Sequence, residues 1–192
     1  MKQLKVKFVG VSPLLMHNGR LANPLDAATR SHKALTSIKK KTDADHEAII
    51  KSEWMGGLYW NEEIGPYIPG MNFDAAFKNA AKLQKLGKQF GQGVMVVEDE
   101  VKLSYQGPRD REGMFSAGYL DVRGVKVGMA RVMRCRPKFN SWSGEFTIAV
   151  NELIVNPDQV VKALPNAGEL IGVGDYRPEK GGRYGKFSVE VL

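Results

Sequence analysis

Hydrophobic and polar residues alternate from Leu4 to Val11. Leu4, Val6, Phe8 and Gly10 fall on one side, and Lys5, Lys7, Val9 and Val11 on the other. A period of two predicts a strand with one buried face. Pro13 limits ladder pairing, so the strand should end or reach a sheet edge there. Asn18-Gly19 predicts a turn. Residues 20–57 follow a helical pattern instead. Asn23-Pro24 opens a first helix through Ala34 and Ile38, and Lys39-Lys40-Lys41 interrupts it as a solvated turn. Thr42-Asp43-Ala44-Asp45 can cap a second helix, with Ile49, Ile50 and Trp54 facing inward and Gly56-Gly57 ending it.

Leu58-Tyr59-Trp60 and Tyr67-Ile68 predict the arms of a short hairpin, followed by a Pro69-Gly70 turn. Asn72 is the expected cap of a helix over 73–86. Phe73, Ala76, Phe77, Ala80 and Leu83 form its apolar face, and Lys78, Lys82 and Lys85 line another. Gly87 to Gly93 reads as a flexible basic loop. Val94 to Tyr105 reads as a strand with a turn or bulge at Glu98-Asp99-Glu100, and Gln106 to Gly118 as a loop. Strands are expected over 119–127, 130–137 and 142–153. Asn156-Pro157-Asp158 caps a helix over 159–164 that resumes at 167–171 after Pro165. Phe187 to Leu192 predicts a closing strand. Taken as β-α-β-β-α-β with insertions, this order fits an α+β, ferredoxin-like (RRM-like) antiparallel sheet covered by two helices.

Composition narrows the class. Hydrophobic residues make up 43% of 192 positions, enough for a packed core. The net charge of +7 and pI near 9.4 suit an anionic partner, nucleic acid first and an anionic membrane second. The single cysteine, Cys135, excludes an intrachain disulfide and a Cys-based zinc site. No stretch approaches the ~20 apolar residues that span a bilayer, and the N-terminus lacks a signal-peptide pattern. A soluble cytoplasmic protein with no membrane partner and no cofactor is expected.

The densest candidate chemistry lies between Ile171 and Phe187. Gly172, Gly174, Gly181, Gly182 and Gly185 alternate there with Tyr176, Arg177, Lys180, Arg183, Tyr184 and Lys186. Glycine admits backbone conformations closed to other residues and lets a ligand backbone approach. Arg and Lys donate to phosphate, and Tyr offers a stacking face. The other reading is a glycine-rich hairpin with solvated charges. Arg134 and Arg136 share one strand face within a segment, Arg123 to Lys138, that has no acidic residue. That face should be solvated or bound to an anion. Lys78 and Lys82 gain weight because no acid occurs between Asp74 and Glu98.

For catalysis the candidates are His17 and Asp26, with His32 and His46 further on; a surface or structural role is the alternative for each. A metal-free acid–base pair would need His17 beside Tyr184 or Lys186. Asp43, Asp45 and His46 fit a helix cap better than a metal site. Gly172-Val173-Gly174 follows a helix rather than a strand, so it is not a dinucleotide loop. No metal site is expected.

Three stretches together resemble the RAMP superfamily, the repeat-associated proteins of CRISPR effector complexes. They are Ser12-Pro13-Leu14-Leu15 after the first strand, Tyr67-Ile68-Pro69-Gly70 directly before a helix, and the loop from Gly172-x-Gly174 to Gly182-Arg183-Tyr184-Gly185-x-Phe187. The likeness is to the backbone-subunit type. Met71-Asn72-Phe73-Asp74 departs from the small residues that usually follow the second motif, and the chain is short for such a subunit. A reduced relative from a phage or mobile element fits these departures.

The resemblance implies one RAMP-like domain over 1–192, with a helical insertion at 20–57 and a thumb-like β insertion at 94–130. It implies binding of single-stranded RNA or DNA along a row of identical subunits, hence a homo-oligomer or multisubunit complex. Two alternatives stay open. One is a protein-interaction module docking into a larger complex; the other is a metal-independent endoribonuclease.

Overall fold

The computed structural model describes residues 1–192, the side chain of Val127 apart. In chain order the strands are β1 (Lys2–Gly10), β2 (Leu14–Leu15), β3 (Trp60–Asn61), β4 (Gly65–Pro69), β5 (Val94–Val96), β6 (Glu100–Lys102), β7 (Leu120–Val127), β8 (Ala130–Phe139), β9 (Ser143–Val150) and β10 (Phe187–Val191). The α-helices are α1 (Ala27–Thr36), α2 (Asp43–Gly57), α3 (Gly70–Lys82), α4 (Gly87–Gly93), α5 (Arg111–Ser116) and α6 (Pro157–Asn166). Antiparallel sheets and several helices make the protein α+β.

The chain forms two units. The first comprises Met1–Leu14, Trp60–Gln106 and Asn140–Leu192; the second comprises Leu15–Tyr59 and Gly107–Phe139. The 20–57 segment lies within the second unit. The 94–130 stretch divides, with β5 and β6 in the first and α5 and β7 in the second.

In the first unit the alternation of β1 works as its period requires. Leu4, Val6 and Phe8 are buried, while Lys5, Lys7 and Val9 are exposed. β1 is flanked by β10 and β9, and β5 closes the far edge, in the order β10-β1-β9-β5. Every neighbour pair is antiparallel. α3 precedes β5 and α6 precedes β10, so the sheet's own elements run strand, helix, strand, strand, helix, strand.

The apolar face of α3 enters the core through Phe73, Ala76, Phe77 and Ala80, each no more than 1% exposed. Phe73 meets Phe146 with ring centroids 4.7 Å apart and Phe8 at 5.1 Å. Such a ring buries much apolar area, and its removal costs ~3–5 kcal/mol. The opposite face of the sheet carries no aromatic residue: its β1, β9 and β10 positions include Lys5, Lys7, Glu145, Thr147, Ser188 and Glu190.

Several local expectations are corrected. α3 starts at Gly70 rather than behind Asn72, with Pro69 at the cap. It ends at Lys82, so Leu83 leaves the apolar face and is 61% exposed. Gly87 to Gly93 is helix α4 rather than a flexible loop, because Phe90 is buried and anchors that turn. Arg111–Ser116 forms α5 inside the expected loop, capped by Asp110, whose carboxylate accepts from the Gly113 amide. The α6 segment begins at Pro157 under an Asn156–Gln159 capping box and continues through Pro165 into a π-helical turn over Ala167–Ile171.

In the second unit, β7 and β8 form a long antiparallel hairpin from Leu120↔Pro137 to Val127↔Ala130. α2 starts with the expected capping box between Thr42 and Asp45. Its C-terminal carbonyls, at Met55 and Gly56, accept from the Arg20 guanidinium at 2.6 and 3.0 Å. Trp54 is fully buried and donates from Nε1 to the Tyr119 carbonyl at 2.7 Å.

Candidate nucleic-acid interface

The glycine-rich loop is held from within. Val173 N–H donates to the Gly185 carbonyl, Gly182 to Arg177, Tyr184 to Tyr176, and Gly185 to Pro13. Gly172, Gly174, Gly181 and Gly185 all have positive φ, between 69° and 79°. A Cβ on Gly185 would lie 1.7 Å from the Val173 carbonyl oxygen, and one on Gly182 1.7 Å from that of Tyr176. The close approach that glycine permits here is therefore by the chain's own backbone. The loop's base is fixed to the residues that follow β1: the Lys186 carbonyl accepts from Val11 N–H at 2.8 Å, and the Ser12 hydroxyl accepts from Lys186 N–H at 3.0 Å.

This folding sorts the loop's side chains. Arg177 pairs with Glu179 at 2.7 Å, and Glu179 also accepts from Asn79 at 2.5 Å, so Arg177 is spent on internal structure. Tyr184 is buried, 8% exposed, and packs beside Tyr176. Its ring is not a platform for bases. Tyr176 is 52% exposed and sits at φ 53°, a left-handed conformation that few non-glycine residues adopt. Lys180 and Arg183 are exposed and Lys186 half-buried, and among the described residues none of the three forms an ion pair. The side chains that can meet a strand are thus Tyr176, Lys180, Arg183 and Lys186. Lys78 and Lys82 lie exposed on α3 of the same unit.

The second candidate patch belongs to the other unit and has a different explanation. Arg134 pairs with Glu53 at 2.8 Å, and the other Glu53 oxygen accepts from Cys135 N–H at 2.8 Å. Glu53 is only 5% exposed. Asp121, directly opposite Arg136 in the hairpin register, pairs with Arg123. The anion beside Arg134 is therefore the protein's own carboxylate, delivered by α2 from a distant part of the sequence. Burial, reinforced by the charges of Glu53 and Asp121, pushes the Cys135 thiol up to about 12.

Asp26 caps α1, accepting from Ala28 N–H at 2.8 Å and Thr29 N–H at 3.4 Å. Its carboxylate serves the helix N-terminus, where a cap is worth ~1 kcal/mol. His17 is exposed in the second unit, whereas Tyr184 and Lys186 belong to the first. Asp45 is held by Thr42 in the capping box, which lowers its pKa through the Thr42 backbone and hydroxyl hydrogen bonds. Among the described residues there is no cluster of three His, Cys, Asp or Glu side chains fit to hold a metal ion, and no helix is long and apolar enough to cross a membrane.

No protein-family model matches the chain, and no curated protein matches it. Among solved structures, a Cas6 product complex is similar at 14% identity and a TM-score of 0.26. The alignment covers 97% of this chain and 50% of that one, so the protein spans half the length of that neighbour. At that score the α+β description rests on the strand order and helices themselves.

Proposed function

We propose that the protein binds single-stranded RNA or DNA without sequence preference and assembles along the strand, in the manner of CRISPR effector backbone subunits. On this reading the first unit is a ferredoxin-like core that includes β5, and the insertion at 20–57 and the later part of the 94–130 stretch, α5 and β7, contribute to the second. The observation that carries the proposal is the conformation of Tyr176. A non-glycine residue held at φ 53° and left half exposed, beside the uncompensated Lys180 and Arg183, is strain maintained at a surface. Strain of this kind accumulates where a ligand uses it. The residue types suit stacking on a base and contact with adjoining phosphates.

The test is a titration of labelled single-stranded RNA and DNA with the parent chain and with Tyr176→Ala and Lys180→Gln/Arg183→Gln variants. Loss of the stacking platform should weaken binding by ~1–3 kcal/mol, independently of base sequence. Equal affinity in all three chains would refute the assignment.

A protein-interaction role is the second reading, favoured by one feature. The end of the β7–β8 hairpin exposes Met129 at 99% and Met133 at 59%. Pull-down with the parent chain and with Met129→Ser/Met133→Ser would reveal a partner held there.

A further inference from the structure

Away from the glycine-rich loop, the aromatic-free face of the β10-β1-β9-β5 sheet holds a cavity of about 320 Å³ lined by Lys7, Lys102, Ser104, Ser143, Gly144 and Glu145. Its walls follow from two local features. First, Val101, Leu103 and Tyr105 are buried, so the alternate positions Lys102 and Ser104 are turned outward. Second, Ser104 and Ser143 exchange both backbone hydrogen bonds, at 2.7 and 2.9 Å, which brings this segment against β9. Gly144 permits the approach: a Cβ there would lie 2.7 Å from the Lys102 carbonyl oxygen.

The charges in and around the cavity are unevenly matched. Glu145 faces Lys7 across the β1–β9 register but pairs with Lys5 at 3.0 Å. Glu190 faces Lys7 from β10 and forms no ion pair. Among the described residues Lys7 and Lys102 form none either, and the Ser104 and Ser143 hydroxyls make no hydrogen bond. Two lysines and two serines, with Glu145 on the rim, line one small concavity that holds no aromatic residue. That donor set fits the non-bridging oxygens of a phosphate better than a base or an apolar ligand.

Building on the strand-binding reading, we infer that this cavity seats one phosphodiester of the bound strand, held by Lys7, Lys102, Ser104 and Ser143. The cavity and the glycine-rich loop are linked through β1. Lys7 lies four residues before Val11, about 13 Å along the strand, and Val11 N–H donates to the Lys186 carbonyl at 2.8 Å. A strand leaving the loop can run across the sheet face on its phosphates, its bases turned away from the protein.

The test uses the full chain, with a labelled single-stranded oligonucleotide titrated over a salt series. Lys7→Gln/Lys102→Gln should weaken binding roughly tenfold, the scale of one charge-assisted contact, and flatten the log–log salt slope by ~0.7. Ser104→Ala/Ser143→Ala should weaken it less and leave the slope unchanged. Glu145→Gln, which removes a carboxylate from the rim, should tighten it.

Binding that falls in Lys180→Gln/Arg183→Gln but is unchanged in Lys7→Gln/Lys102→Gln would overturn the cavity assignment and leave the strand-binding reading standing. No binding by the parent chain would overturn both. A nucleoside 5′-monophosphate that binds as tightly as the oligonucleotide, with the same dependence on the two lysines, would assign the cavity to a free phosphate ester and overturn the strand contact.

Discussion

Replacing Arg134 by Gln separates a structural arginine from a nucleic-acid contact. Arg134 and Glu53 form an ion pair at 2.8 Å in which the carboxylate side chain is only 6% exposed and the guanidinium side chain 36%. Breaking a fully buried pair by removing one partner costs ~3–5 kcal/mol, because the other charge is left uncompensated. Two features reduce that figure here. Glu53 keeps its hydrogen bond from Cys135 N–H, and water reaches the arginine side. A loss of ~2 kcal/mol is therefore expected for Arg134→Gln.

Glu53→Gln should cost less, since the arginine it leaves behind is partly hydrated. The double variant should lose less than the sum of the two, giving a coupling energy of ~1 kcal/mol. Urea unfolding followed by circular dichroism measures all three, and at an m value of ~2 kcal/mol/M a 2 kcal/mol loss moves the midpoint by ~1 M. The salt slope of oligonucleotide binding should not change in the folded variant. An Arg134→Gln chain as stable as the parent, with a shallower salt slope, would refute the reasoning and restore Arg134 as a phosphate contact.

Other outcomes follow from the same geometry. Gly185→Ala, with positive φ and a carbonyl oxygen 1.7 Å from the new Cβ, should destabilise more than Gly181→Ala, which has positive φ but open space around it; the latter should cost ~1–2 kcal/mol in thermal or urea unfolding. Cys135 should resist a disulfide reagent at pH 8 in the folded chain and react on unfolding, because its thiol is buried and its pKa raised to about 12. Its neutral form is favoured in the fold, so this contribution to stability is complete below the ordinary thiol pKa of 9.0 and is lost as pH rises through about 12; unfolding midpoints in alkaline buffers of Cys135→Ala against the parent chain measure it. Asp26→Ala should lower stability by ~1 kcal/mol through loss of the α1 cap, and should leave oligonucleotide affinity unaltered.

Local signals in the sequence carried most of the secondary structure. The alternation in β1, the Thr42–Asp45 box, the Asn156 cap and the Phe73–Ala80 stripe each depend on residues within a turn or two of one another, and each appears in the fold. The Gly87–Gly93 helix was hidden because its glycines argue for a loop and only the burial of Phe90 argues otherwise. At the candidate site, the loop's position and its exposed Lys180 and Arg183 were legible. The roles of Arg177 and Arg134 were not. Arg134 finds its acid 81 residues away, and the Glu179 beside Arg177 is fixed by Asn79 from 100 residues away. Composition shows a cation but not whether the fold has already supplied its anion. The cavity at Lys7 and Lys102 escaped for the same reason, since these two strand lysines line one concavity only when the Ser104–Ser143 bridge brings the segment after β6 against β9, the neighbour of β1.

The most direct test of the central claim is the affinity of the parent chain for a long single-stranded RNA and its DNA counterpart as a function of salt. Contacts from Lys180, Arg183 and the Lys7–Lys102 cavity to about three phosphates predict a log–log slope near −2, at ~−0.7 per phosphate. A slope near zero, or no binding to either polymer at low salt, would contradict the account.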